Sequence, residues 1–218
     1  MSEKVSIIAT DEGGNFKLIE PGTYPARCYQ MIYMGTIKEN IMGKEMEMKK
    51  VFLTWELPTE LEVFKEENGE QPHVVSKEFT LSMNEKANLR HSLQSWRGKN
   101  FTDEEAKSFD ITKLIGAPCQ LNLIHKATKV GKMRIEIAAI TPLAKGQKCP
   151  IQINESVVFS VQQPDWDVFA KLSSFIQEKI KKSTEYADLQ VPINLTKAEP
   201  SSDLPADFDE TPEEPLVF

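Results

Sequence analysis

Residues 74–98, VVSKEFTLSMNEKANLRHSLQSWRG, decide the fold because they lead from a strand directly into a helix. In the first half, Val75, Phe79 and Leu81 fall at even spacing among polar residues. This alternation is typical of a β-strand with one buried face. The stretch therefore begins with a predicted strand whose apolar side chains point to a core.

The second half of the stretch has a different period. Apolar residues recur at helical spacing from Leu89 to Trp96, and Gly98 follows as a typical helix-ending residue. Ser82 and Glu85 have the spacing of a capping box, so the helix is predicted to begin at Ser82. A second short helix is predicted from Thr102, which has Glu105 three residues later.

Four more strands flank this unit. Alternating apolar residues predict them at 23–35, 48–58, 118–127 and 132–143, the last two joined by a hairpin turn at 128–132. In the first strand we assign Ala26, Cys28, Gln30 and Ile32 to one face and Arg27, Tyr29, Met31 and Tyr33 to the other. In the second strand Val51, Leu53, Trp55 and Leu57 form the apolar face, with Lys50, Phe52 and Thr54 opposite.

The element order predicts a mainly β fold. Three strands, a helix and two strands is the order of a five-stranded OB-fold, a Greek-key barrel whose sheet face and loops bind oligonucleotides or oligosaccharides. An amphipathic C-terminal helix is predicted over 164–183, with Asp165 as its cap. The predicted organisation is a flexible N-terminal segment at 1–20, an OB-fold core at 21–150, a strand and helix extension at 151–186 and a disordered acidic tail at 187–218.

The charge of the chain is concentrated at its end. The 218 residues carry a net charge of −7, and residues 199–218 hold seven acids without any Lys or Arg. The rest of the chain is therefore formally neutral. Such a segment is typical of an interaction or self-inhibition tail, and a simple solubility tail is the alternative. The residues assigned to partner binding are Asp207, Phe208, Asp209, Glu210, Glu213, Glu214 and Phe218.

Composition argues against several classes of protein. The three cysteines, Cys28, Cys119 and Cys149, are an odd number and lack metal-site spacing, which favours a reducing compartment. The first residues also lack a secretory signal pattern, so a cytoplasmic location is predicted. No apolar run is long enough for a membrane span. Phosphate-loop and nucleophile-elbow motifs are missing, so neither catalysis nor a metal or cofactor is predicted.

Binding to single-stranded nucleic acid is better supported. It requires cations that follow phosphates and aromatic rings on which bases stack. The outward faces of the first two predicted strands offer cations and aromatic rings. The hairpin at 125–134 adds further cations and contains no acid. The candidate DNA-binding residues are Arg27, Tyr29, Tyr33, Lys49, Lys50, Phe52, Lys126, Lys129, Lys132 and Arg134. The alternative for each is an ordinary solvated or packing residue; Trp55, Trp96 and Cys119 are assigned to the core.

Several segments resemble a known family. YPARCYQ, WELP, SKEFTLSMNEKANLRHSLQSWRGKNFTDEEAKSFD and LIGAPCQLNLIHK are similar to phage single-stranded DNA-binding proteins of OB-fold type, over roughly residues 20–186. The acidic end that closes on Phe218 resembles the tails of T7-type phage and bacterial single-strand binders. Bacterial tails usually end in an Asp-rich run, Pro and Phe, whereas this chain ends in EEPLVF.

The resemblance implies a sequence-independent single-stranded DNA-binding protein of phage replication or recombination. It would protect single strands as a monomer or homodimer in the host cytoplasm, and its tail would recruit a polymerase, helicase or recombinase. One alternative is a strand-annealing or recombination-mediator protein. Two others are a structural virion protein and a metal-dependent nuclease, the latter suggested only by the minimal Glu47-x-Lys49 triplet.

Overall fold

The computed structural model describes residues 18–128 and 131–189. Its strands are β1 (Gly22–Ile41), β2 (Lys44–Glu62), β3 (Gln71–Thr80), β4 (Pro118–Ala127), β5 (Met133–Thr141) and β6 (Val157–Ser160). Its α-helices are α1 (Asn88–Arg97), α2 (Asp103–Ser108), α3 (Trp166–Lys171), α4 (Ser174–Lys181) and α5 (Thr184–Ala187). Two 3-10 helices lie at Glu66–Asn68 and Ile111–Leu114.

The strands form one mainly antiparallel sheet in the order β3-β2-β1-β4-β5, with β6 added parallel to β1. The predicted mainly β class is confirmed, and so is the order of three strands, helix and two strands. The sheet has six strands rather than the predicted five, and it is not a closed barrel: no backbone ladder joins β3 to β5 within the described residues. At this seam the Lys77 ammonium reaches the Ile137 carbonyl at 3.4 Å, and α1 packs against both strands.

A β-bulge in β1 reverses the predicted alternation of its side chains. Cys28 lies opposite Trp55 and Gln30 opposite Thr54, so Tyr29 is an extra residue without a partner in the ladder. An extra residue shifts all later side chains to the other face. Met31 therefore lies in the same core as Cys28, whereas Gln30 and Ile32, predicted for that face, lie on the opposite one.

The first core fills the space between the curved sheet and α1. Trp55 and Trp96 lie at its centre with ring centroids 5.8 Å apart, and both are buried as predicted. Cys119 is buried in the same core, which confirms its assignment as a core thiol. Ile19, predicted to belong to the flexible N-terminal segment 1–20, also packs in this core; residues 1–17 lie outside the described ranges.

Between β3 and β4, the predicted stop of α1 and the predicted start of α2 are confirmed, whereas the predicted start of α1 is wrong. Gly98 has a φ of +67°, the left-handed conformation that ends α1, and Thr102 forms the predicted capping box with Glu105. α1 begins after Ala87 and not at Ser82. The Ser82 hydroxyl instead accepts a hydrogen bond from the Asn84 N–H at 3.3 Å, a local turn that competes with helix formation.

The C-terminal extension builds a second core on the other side of β1 and β2. The single helix predicted over 164–183 is three short helices, because the hydroxyls of Ser173 and Ser183 cap new helix starts; Asp165 caps α3 as predicted. The buried side chains of this second core are Ile32, Met34, Phe52, Phe159, Val161, Phe169, Leu172, Ile176 and Ile180. The outer face of β1 and β2 is therefore an interior.

A connecting strap, residues 149–154, brings the chain from β5 back to β1. The buried Glu56 carboxylate accepts hydrogen bonds from the Ile153 N–H at 2.6 Å, the Asn154 N–H at 2.8 Å and the Asn154 side chain at 2.7 Å. Arg27, the ladder partner of Glu56, donates to the Pro150 carbonyl at 2.6 Å. These bonds position β6 for pairing with β1.

The second core makes a stability prediction. Ile180 is fully buried, so Ile180→Ala should lower the free energy of unfolding by about 2–5 kcal/mol. Urea unfolding followed by tryptophan fluorescence measures this change. Ile151→Ala is the matched control, since Ile151 is 83% exposed and its truncation should change stability by less than about 0.5 kcal/mol. Equal effects would show that the extension is not packed as described.

Candidate nucleic-acid interface

The predicted groove is bounded by two hairpins. The β1–β2 hairpin turns at Met42 and Gly43, and its residues 37–48, termed the arm, form a largely exposed two-stranded ribbon. In the β4–β5 hairpin, the Thr128 N–H donates to the Lys132 carbonyl at 2.8 Å. Lys129 lies outside the described residues. Between the hairpins, on the outer face of β1 and β2, the sequence places its stacking aromatics.

The predicted exposure of Phe52 is wrong. Its side chain is only 2% exposed and belongs to the second core, beneath the C-terminal helices. Strand alternation assigned Phe52 to the correct face of β2, away from Trp55. That face is covered because α3–α5 and β6 pack on it, which local periodicity could not reveal. Phe52 is therefore a packing residue.

Tyr29 and Tyr33 are likewise not the open stacking platforms that were predicted. Burial and the nearby Glu56 carboxylate raise the pKa of Tyr29 to about 12. Tyr33 is half-buried against the second core, and its hydroxyl donates to Glu185 Oε1 at 3.3 Å. Burial and the Glu185 charge raise the pKa of Tyr33 as well. Tyr33 is therefore held by contacts within the protein, and Tyr29 is half-buried rather than open.

The predicted phosphate contact by Lys50 is also contradicted by its position. Lys50 is 4% exposed, and its ammonium lies 2.9 Å from the Glu39 carboxylate and 3.5 Å from that of Glu78. Glu78 pairs in addition with Lys179 of α4 at 2.7 Å. A buried charge requires such partners. This network joins the sheet to the extension and leaves Lys50 inaccessible to a backbone phosphate.

Arg27 and Arg134, both predicted to contact DNA, bind oxygen atoms within the protein. Besides its bond to the strap, the Arg27 guanidinium donates to the Gly116 carbonyl at 2.8 Å and the Cys149 carbonyl at 3.2 Å. Arg134 is 7% exposed and donates to Glu136 Oε2 at 3.0 Å. Alternation predicts an open face for Arg27, which instead binds carbonyl groups of neighbouring segments. Arg134, predicted as part of the basic hairpin, pairs with a carboxylate of its own strand.

Three of the predicted cations remain accessible. Lys49, Lys126 and Lys132 are exposed, the first on β2 near the arm and the other two at the β4–β5 hairpin. Lys126 also lies 2.9 Å from Glu136 at a solvent-exposed position, where an ion pair is weak and a phosphate can compete for the cation. The structure thus brings together the cations of the hairpin but separates them from the predicted aromatics.

Sequence reasoning missed the carboxylate that holds α5 to β1. Glu185 Oε2 accepts from the Thr36 N–H at 2.6 Å, and Glu185 Oε1 accepts from the Thr36 hydroxyl at 2.8 Å. A Cβ on Gly35, whose φ is +95°, would lie 2.7 Å from Glu185 Oε2. A glycine inside a strand pattern often marks such a close approach, and this was the one available signal.

Two of the three cysteines are buried in the first core. Burial raises the pKa of the Cys28 thiol to about 12 and that of Cys119 still further, so neither is a nucleophile near neutral pH. No group of three or more His, Cys, Asp or Glu residues in the described part of the chain has a metal-binding arrangement. Among the same residues, no helix combines the length and apolarity needed to cross a membrane.

Comparison of the sequence with protein-family models and with curated proteins gives no match in either case.

The hydrogen bonds between Glu185 and Thr36, termed the Glu185 clamp, predict that the free energy of unfolding depends on pH. Burial alone would raise the pKa of Glu185, but the hydrogen bonds from Thr36 and Thr184 outweigh it and lower the pKa to about 2 from an ordinary 4.5. The clamp therefore stabilises the fold fully above about pH 4.5, and this contribution is lost as the pH falls towards 2. Glu185→Gln should lower the free energy of unfolding at neutral pH by about 1.5–3 kcal/mol.

Urea unfolding of both proteins at several pH values measures this difference. It should shrink as the pH falls below 4.5, because the wild-type carboxylate then gains a proton and loses its advantage over the amide. Glu155→Gln is the matched control at an exposed site and should change little. A Glu185→Gln deficit that is the same at pH 7 and pH 3 would contradict a charge-dependent clamp.

Proposed function

We propose that this chain is a sequence-independent single-stranded DNA-binding protein with an OB-fold-like sheet. The observation that carries the proposal is the strand order β3-β2-β1-β4-β5 with a helix between β3 and β4. In an OB-fold the same order places the β1–β2 and β4–β5 hairpins at the borders of one oligonucleotide groove. The resemblance to phage single-strand binders supports the same function.

The absence of a backbone ladder between the described residues of β3 and β5 is compatible with this proposal. An OB-fold is a partly open barrel, and its third and fifth strands approach each other beside the connecting helix. Here Lys77 spans from β3 to the Ile137 carbonyl of β5, and α1 packs across the gap. The helix thus occupies the position expected for an OB-fold, while a side chain takes the place of part of the backbone ladder.

The binding surface that we propose is on the β4–β5 side of the sheet, away from the C-terminal helices. Thr23, Ile124 and Ala138 expose small or apolar groups there, and Asn122 donates to the Thr23 hydroxyl at 3.1 Å. Lys126 and Lys132 lie at the end of the same strands. The carboxylate on this face near Ile124, that of Glu136, is paired with Lys126 and Arg134. A largely neutral face beside exposed lysines can accept a phosphodiester backbone without specifying its sequence.

This surface implies a binding mode dominated by phosphate contacts. β4 and β5 contain no Phe, Tyr or Trp, Phe52 is buried, and Tyr29 and Tyr33 are half-buried. Base stacking, worth about 1–3 kcal/mol per base in other single-strand binders, is therefore a minor part of the affinity proposed here. Affinity that comes from cations falls steeply as the salt concentration rises.

We further propose that the acidic end of the chain competes with DNA and recruits replication proteins. Its seven carboxylates resemble a row of phosphates, and Phe208 and Phe218 offer rings like those of bases. All of the predicted tail residues lie outside the described residues. The charge pattern of the sequence supports this role, because the rest of the chain is neutral overall and exposes cations at one hairpin.

Fluorescence anisotropy of a labelled oligo-dT tests the DNA-binding proposal. The purified chain should bind, and the slope of log affinity against log salt should be negative. Replacing both Lys126 and Lys132 by Ala should make the slope shallower by about 0.7 for each lost phosphate contact. Lys86→Ala with Lys107→Ala, two exposed lysines on the helical insertion, is the control and should leave the slope unchanged. No salt-dependent binding by the wild-type chain would overturn the proposal.

Deleting residues 199–218 tests the role of the acidic end. Truncation should tighten oligo-dT binding most at low salt, where carboxylates compete best for the cations, and the gain should vanish as salt rises. Phe218→Ala in the full chain should retain DNA affinity but weaken capture of a phage or host replication protein. Equal affinities of both chains at every salt concentration would exclude competition with DNA.

A further inference from the structure

The tip of the arm has a backbone that does not suit its residue. Met42 and Gly43 form the two-residue turn with φ values of +51° and +80°. Positive φ at both central residues is typical of a type I′ turn, in which Asn-Gly is preferred. Met42 is thus held in a strained conformation with its side chain 82% exposed. The free-energy cost of this positive φ points to a role of Met42 other than folding of the hairpin.

The arm has one polar face and one apolar face. On the polar face Lys38 lies 3.3 Å from Glu45 and 4.0 Å from Glu47, so its charges are balanced. On the other face Glu39 turns back to Lys50 at 2.9 Å. The apolar residues of that face and the tip are Ile37, Ile41, Met42, Met46 and Met48. Lys44, paired with Ile41 across the hairpin, is the remaining charge beside this apolar strip.

A second exposed apolar patch lies on the strap and β6. Ile151 is 83% exposed, Ile153 51% and Val158 47%, and Glu155 is the only charged residue between 149 and 158. The patch is well ordered by its contacts, because Glu56 binds the backbone of Ile153. The segment therefore offers three exposed apolar side chains on a fixed backbone, with Glu155 as its one charged residue.

These two surfaces lie at opposite ends of β1. The strap is bound beside Arg27, and β6 pairs with residues 30–33, whereas the arm begins at Ile37 and runs away from them. One molecule therefore does not bring its own tip to its own patch. We propose that the tip of one molecule docks on the 151–158 patch of a second copy of this chain, with Lys44 opposite Glu155.

The chemistry of the two surfaces favours a second copy over a nucleic acid. Each surface is apolar, and their single charges are opposite, so the contact buries methyl and thioether groups while pairing the charges. A strand of DNA would meet one cation on the arm strip and an anion on the patch. Because the contact joins two different surfaces, a pair of molecules still has one free tip and one free patch. Further molecules can therefore add to it head to tail.

Sedimentation velocity of the full chain without DNA tests this proposal separately from the proposed function. The sedimentation coefficient should rise with protein concentration. Met42→Asn suits the positive φ of the turn, so the arm should fold, yet self-association should weaken by roughly tenfold or more because the apolar side chain is lost. Met133→Asn, at an exposed position on β5, is the matched control and should self-associate like wild type.

A mixing experiment distinguishes the head-to-tail contact from a symmetric one. Ile151→Asn should also weaken self-association, since it removes the centre of the patch. An equimolar mixture of the Met42→Asn and Ile151→Asn chains should form a one-to-one dimer, because one chain retains the tip and the other the patch. Lys44→Glu and Glu155→Lys should each weaken association, and the chain with both changes should recover it.

Three results would overturn the proposal. A wild-type chain that remains monomeric at all concentrations excludes the contact. An Ile151→Asn chain that associates as tightly as wild type would assign the contact to two tips instead. A mixture of the two Asn variants without dimers would show that tip and patch do not meet.

Discussion

The whole arrangement depends on a carboxylate buried where the chain returns to the sheet. Glu56 has no exposed surface, and a charge in such a place is tolerated only when hydrogen bonds replace its hydration. It obtains them from the backbone of Ile153 and from Asn154, while Arg27 on the adjacent strand holds the Pro150 carbonyl. The strap is thereby fixed, and β6 can only continue along β1.

Once β6 is placed, the outer face of β1 and β2 becomes an interior. The second core contains nine buried apolar side chains. At about 1.5–3 kcal/mol for each, exposing them would cost as much as the 5–15 kcal/mol that stabilise a typical domain. The extension is therefore an integral part of the fold and not a cover that opens for a ligand. Any nucleic acid must bind on another surface, and the β4–β5 side offers the exposed lysines.

The sequence predicted those features that depend on neighbouring residues. The strands of the sheet, the caps at Thr102 and Asp165 and the stop at Gly98 follow from local periodicity and hydrogen bonding. The faces of β1 were predicted wrongly after Tyr29, because a single extra residue inverts a period of two. The covering of Phe52 results from segments more than a hundred residues away, and Lys50 is paired with carboxylates from two other strands. No local pattern encodes either arrangement.

The body of the protein uses much of its charge internally. Glu78 binds Lys50 and Lys179, and Glu185 binds Thr36, so several ionic groups that composition counts as surface charge instead attach the extension to the sheet. The zero net charge of residues 1–198 therefore does not describe how charge is distributed on the surface. Among the predicted DNA-contact cations in the described part of the chain, Lys49, Lys126 and Lys132 stay exposed, and two of these lie at the β4–β5 hairpin. Under the proposed function, the seven carboxylates of residues 199–218 would compete with DNA for these lysines, which would link the composition of this segment to the packing of the body.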